Sequence, residues 1–106
     1  MPKKNTDDAK VLCLTPTPGK QGTRIDAWKY NAVRKAILKA LGRGRAGVEF
    51  RDLPELVSLA LSKEDAANLG SVMWYTTTVK LHMETEGEIE RVPGAKPQRV
   101  RRVITK

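Results

Sequence analysis

An α+β protein is predicted from three stretches of the chain. Ile25, Trp28, Ala32, Val33, Ala36, Ile37, Ala40 and Leu41 recur at the spacing of one helical face over about four turns. Asp52-Leu-Pro-Glu55 has the form of a helix start, with a capping acid, a proline in the first turn and a glutamate at the third position. Two valine-bearing arms then flank a Pro93-Gly-Ala-Lys-Pro97 turn and predict a terminal hairpin.

The first helix follows Asp26, a candidate N-cap, and stops at Gly42; its other face presents Lys29, Arg34, Lys35 and Lys39. Gly42-Arg-Gly-Arg-Ala-Gly47 reads as a basic turn and Val48-Glu-Phe50 as a short strand. Leu53, Leu56, Val57, Ala60 and Leu61 form the buried stripe of the second helix. Ser62 to Asp65 opens a short helical turn that Gly70 ends, and Ser71 caps a last helix that runs to Glu86 and stops at Gly87. On it Val72, Tyr75, Thr76, Val79 and Met83 share the expected core face, with Trp74, Thr77, Thr78, Leu81 and His82 off it. In the hairpin, setting Glu90 opposite Arg102 brings Ile89 opposite Val103 and Val92 opposite Val100, so apolar residues match across the strands.

The chain has 106 residues, enough for one core. Residues 1 to 22 are expected to form a basic, flexible arm, with 10 to 14 as its one strand-like stretch, and residues 23 to 106 the folded domain. The apolar run near the start has four residues, too few for a signal core or a membrane span, so a cytoplasmic protein is expected. Cys13 and His82 are the only residues of their types, which rules out a disulfide within the chain and a His/Cys metal cluster. No cofactor motif emerges: Pro18-Gly-Lys-Gln-Gly-Thr23 lacks the spacing of a phosphate-binding loop, and Arg43-Gly-Arg45 lacks the prolines of a minor-groove hook. No pair of titratable side chains suggests catalysis, and the expectation is that the protein is not an enzyme.

The net charge of +8 is unevenly spread. Residues 1 to 47 hold eleven Lys/Arg and three Asp/Glu, residues 48 to 90 hold three and nine, and residues 91 to 106 hold six and none. Basic ends around an acidic middle point to a polyanionic partner, of which nucleic acid is the commonest.

Met83, Gly87, Ile89 and Arg91, in Met83-Glu-Thr-Glu-Gly-Glu-Ile-Glu-Arg91, resemble the junction between recognition helix and wing in winged helix-turn-helix proteins. The element order from about Ile25 to Ile104 agrees with that resemblance. With TPGKQGTRID, DLPELV, WYTTTVK and RVPGAKPQR, the whole chain also resembles a small family of bacterial proteins of unknown function. The winged-helix resemblance implies DNA binding, with the last helix in the major groove and the wing on the backbone. A small bacterial transcription regulator is the implied setting. Carried onto this chain, it selects Thr77, Thr78 and Lys80 on the helix and Lys96, Arg99, Arg101 and Arg102 in the wing, with Lys3, Lys4, Lys10 and Lys20 as a second basic arm. The last helix holds no Arg, Asn or Gln to read base edges, so phosphate-dominated binding with weak sequence specificity is expected. The other reading takes Trp74 and Leu81, seven residues apart on one face, as a surface for a protein partner or a second copy; periodicity also admits a rotated helix with Trp74 in the core.

Overall fold

The computed structural model describes residues 9–15, 22–44 and 46–103. The chain forms β1 (Lys10–Cys13), β2 (Thr23–Asp26), α1 (Ala27–Leu41), β3 (Val48–Glu49), a 3-10 turn (Phe50–Asp52), α2 (Leu53–Ala60), α3 (Lys63–Leu69), α4 (Val72–Glu86), β4 (Ile89–Arg91) and β5 (Arg99–Arg102). It is therefore α+β, with four helices among the described residues and two small antiparallel sheets.

Periodicity places the core. Val33, Ala36, Ile37 and Leu41 of α1 are buried with Leu53 and Val57 of α2, Leu69 of α3, and Thr76, Val79 and Met83 of α4. Local chemistry marks the ends of the later helices. The Ser62 and Ser71 hydroxyls accept the amides of Asp65 and Trp74, each at 3.0 Å. Gly87, at φ 81°, closes α4 in the left-handed conformation, and the following amide of Glu88 donates to Met83 O at 3.0 Å. Asp26 and Asp52 stand at the expected helix starts without capping by their side chains. The Asp26 carboxylate instead pairs with Lys10, whose hydrogen bond holds it below the usual aspartate range, and Ile25 belongs to β2 rather than to the helix.

β1 and β2 pair with Lys10 opposite Asp26 and Cys13 opposite Thr23. Cys13 and Ile25 are buried, and the Leu14 amide donates to His82 Nδ1 at 3.0 Å. Residues 10–13 thus form a docked strand rather than a free arm. Lys3, Lys4, Lys20 and Arg45 lie outside the described residues.

The second sheet has the order β3-β5-β4. Its register corrects the expected one by a residue: Ile89 lies opposite Arg102, Glu90 opposite Arg101 and Arg91 opposite Val100. Matching valines across two strands neglected a third strand and a helix. Val100 already pairs with Val48 of β3, and Arg102, on the core side, reaches the end of α1. Gly47 permits this approach. Its φ is +75°, and a Cβ there would stand 2.4 Å from Val100 O.

Candidate nucleic-acid interface

The arginines of β5 divide by the alternation of the strand. Arg102 turns inward and donates to Leu38 O through Nε at 3.1 Å and Nη2 at 2.6 Å. Arg99 and Arg101 lie on the other side of the sheet. Arg99 donates to Ala46 O and Gly47 O, each at 2.8 Å, and stands 3.6 Å from Glu49. Arg101 pairs with Glu90 at 2.7 Å. Three of the four expected wing contacts, the arginines of β5, therefore brace the protein itself. The hairpin's outward charge is left to Lys96, which is exposed and without a partner among the described residues, and to Arg91. The Arg91 side chain is 60% exposed and 3.8 Å from Glu84.

On α4, Thr77 and Thr78 are half-buried. Lys80 is only 1% exposed: its ammonium is 2.8 Å from Glu84 Oε2 and 4.6 Å from the centre of the Phe50 ring. A cation so enclosed cannot reach a phosphate without leaving both partners, which removes Lys80 from the expected contact set. His82, assigned to the outer or half-exposed side by periodicity, is also buried; its imidazole accepts from the Leu14 amide just after β1 and meets the Tyr30 ring edge-on at 5.6 Å. The helix thus packs on more than one side, which blurs its amphipathic pattern.

The N-terminal half of α4 presents apolar side chains, and its C-terminal turn presents Thr85 and Glu86. Met73 is 67% and Trp74 46% exposed, with the Trp74 ring edge-on to Tyr75 at 4.8 Å, while Leu81 is half-buried. Trp74 is therefore not a core residue.

Positive charge that remains available sits on α1. This helix contains no Asp or Glu. Two of its cations are engaged: Lys29 donates to Tyr75 Oη at 3.3 Å, and Arg34 clamps Glu88 through Nε and Nη2 at 2.5 to 3.1 Å. Lys35 and Lys39 are exposed one turn apart, and Arg43 is exposed in the turn that follows; among the described residues nothing engages these three side chains. The absence of acidic residues between Asp26 and Glu49 carries this signal in the sequence. Exposed carboxylates without a partner among the described residues lie at Asp52, Glu55 and Glu64, near the starts of α2 and α3.

No group of three or more His, Cys, Asp or Glu among the described residues could hold a metal ion, and no described helix is long and apolar enough to cross a membrane. Burial pushes the Cys13 thiol up from 9.0 to about 11, opposite to what an activated nucleophile needs.

These features define a small α+β protein whose first helix has a basic outer face and whose terminal hairpin is braced from within. The chain belongs to a family of unknown function, DUF6958, whose model matches residues 10–100. No curated protein and no solved structure matches it.

Proposed function

We propose that this chain is a cytoplasmic DNA-binding protein of winged-helix architecture, of the kind that serves as a small bacterial transcription regulator. It holds duplex DNA mainly through phosphates and with weak sequence specificity. The carrying observation is the net charge of +8 together with Lys35, Lys39, Arg43 and Lys96, cations that are exposed and unengaged among the described residues. The fold reading is supported by the strand between α1 and α2, which pairs with the second arm of the hairpin directly after α4. Weak specificity follows from α4, which exposes Met73, Trp74, Thr85 and Glu86, half-buries Thr77, Thr78 and Leu81, and buries its one lysine.

Fluorescence anisotropy with a random-sequence DNA duplex, titrated at several salt concentrations, tests this reading. Neutralising several phosphates gives a log–log salt slope of roughly −3 to −6. Absence of binding at low salt overturns it.

A second reading rests on the exposure of Trp74 and Met73: a protein-interaction module of the same fold, using Trp74 and Leu81 against a partner or a second copy. For the second copy, sedimentation equilibrium of the wild type and of Trp74→Ser is the test. A dimer that the substitution dissociates supports this reading, and a monomer at high concentration rejects self-association.

A further inference from the structure

We infer that the outer face of α1, and not α4 with the hairpin, is the main phosphate-contacting surface, with Lys35, Lys39 and Arg43 as its cationic ligands. The inference rests on the DNA-binding reading and relocates its site. The hairpin and α4 have little charge to offer. Arg99, Arg101 and Arg102 are engaged with Ala46 and Gly47, with Glu90 and with Leu38, and Lys80 is sealed between Glu84 and Phe50.

α1 presents the opposite situation. Asn31, Lys35 and Lys39 follow one another at four-residue intervals, all exposed, and Arg43 is exposed in the turn after Gly42 ends the helix. Each step advances about 6 Å along the axis, so Asn31 to Lys39 spans about 12 Å of one side. An amide and two ammonium groups are thus presented on a helix with no Asp or Glu of its own, with the Arg43 guanidinium in the turn that follows, and the Glu88 carboxylate docked against that helix is taken up by Arg34. Lysine offers a point charge to phosphate, and arginine a forked donor. The C-terminal end of a helix carries partial negative charge, which would repel a phosphate approaching Lys39. Here Arg102 stands on Leu38 O and places a guanidinium at that end, offsetting the repulsion.

Charge elsewhere orients the approach. Asp52, Glu55 and Glu64 are exposed around α2 and α3, and Glu86 at the end of α4, and a polyanion avoids those surfaces. The regular charge spacing of a nucleic-acid backbone suits a linear row of cations on a rigid helix, which commits the surface to duplex DNA.

The test compares three proteins in the salt-dependent anisotropy titration: wild type, the triple variant Lys35→Ala/Lys39→Ala/Arg43→Ala, and the hairpin variant Arg91→Ala/Lys96→Ala. All five side chains are exposed, and alanine favours the helix, so thermal melts should superimpose. At about 0.9 per phosphate, losing three contacts flattens the salt slope by about 2 to 3, with a loss of affinity of at least roughly tenfold at low salt. Lys35→Arg/Lys39→Arg should retain affinity, and the hairpin variant should lose less than the triple one. Wild-type affinity and slope in the triple variant would overturn the α1 surface and leave the DNA-binding reading standing. Failure of the wild type to bind would overturn both. Polyglutamate competing as well as unlabelled duplex at equal charge would overturn the commitment to DNA.

Discussion

The guanidinium of Arg102 closes on the carbonyl oxygen of Leu38, 64 residues earlier in the chain, through two nitrogens at 2.6 and 3.1 Å. It joins the last described strand to the last turn of α1, supplying a charged donor where the helix has carbonyls to satisfy. Arg102→Ala should therefore lower stability by about 1.5 to 3 kcal/mol, the range for hydrogen bonds from charged groups, as read by chemical denaturation. Arg102→Lys should recover only part of this, because it lacks the fork. A variant with unchanged stability but weakened DNA binding would restore Arg102 to the role of a phosphate contact.

Lys80 and Glu84 form an ion pair whose side chains are almost wholly enclosed. Removing one partner strands the other charge in the interior. Lys80→Ala should cost about 3 to 5 kcal/mol, whereas Lys80→Met combined with Glu84→Leu should be neutral or stabilising. Denaturant midpoints of the single and double variants separate the outcomes. A single variant costing less than about 1 kcal/mol would mean that Lys80 reaches solvent, and would return it to the candidate contacts.

Features set by neighbouring residues were legible in the sequence; features set by distant partners were not. Ser62, Ser71 and Gly87 act within one turn, and the stripe of Thr76, Val79 and Met83 belongs to one helix, so spacing sufficed to find them. The hairpin register depends on Val48 and Leu38, and the enclosure of Lys80 on Phe50, thirty positions away. The same applies to charge. Arg99 looks available until Ala46 and Gly47, more than fifty residues upstream, are brought beneath it. The lysines of α1 were visible as a charged face, but only the folded chain separates Lys35 and Lys39 from the engaged Lys29 and Arg34.

Gly47 should tolerate no side chain. Alanine would adopt an unfavourable positive φ and bring its methyl group within 2.4 Å of the Val100 carbonyl oxygen, so either β3 or the 42–47 turn must move. A loss of about 1 to 3 kcal/mol is expected from conformational strain at such a site. Gly44, where an added Cβ meets nothing within 4 Å, is the control. Equal melting temperatures for Gly47→Ala and Gly44→Ala would contradict the close pairing of β3 with β5.

Acid should weaken the link between α1 and the start of the hairpin. The hydrogen bonds from Arg34 hold the Glu88 carboxyl below its ordinary 4.5, against a partial opposing effect of burial. A depressed folded-state value means that the stabilisation is fully present above the unfolded value and is lost as pH falls through the folded one. Because both side chains are partly exposed, the effect is about 0.2 to 1 kcal/mol. The stability gap between wild type and Glu88→Gln should be present at neutral pH and should shrink as pH falls below the range in which an unfolded glutamate titrates. A gap independent of pH would mean that the pair contributes through packing alone.

The Cys13 thiol offers a probe of whether β1 stays docked. Burial raises it to about 11 from 9.0, a shift that cuts the thiolate fraction at mildly alkaline pH by about a hundredfold, and the same burial blocks access to the sulfur. Alkylation by iodoacetamide should be at least about a hundredfold slower in the native protein than in denaturant. His82→Ala removes the acceptor for the Leu14 amide and should speed labelling by loosening the strand from α4. Native and denatured rates that agree would mean that the strand leaves its site freely.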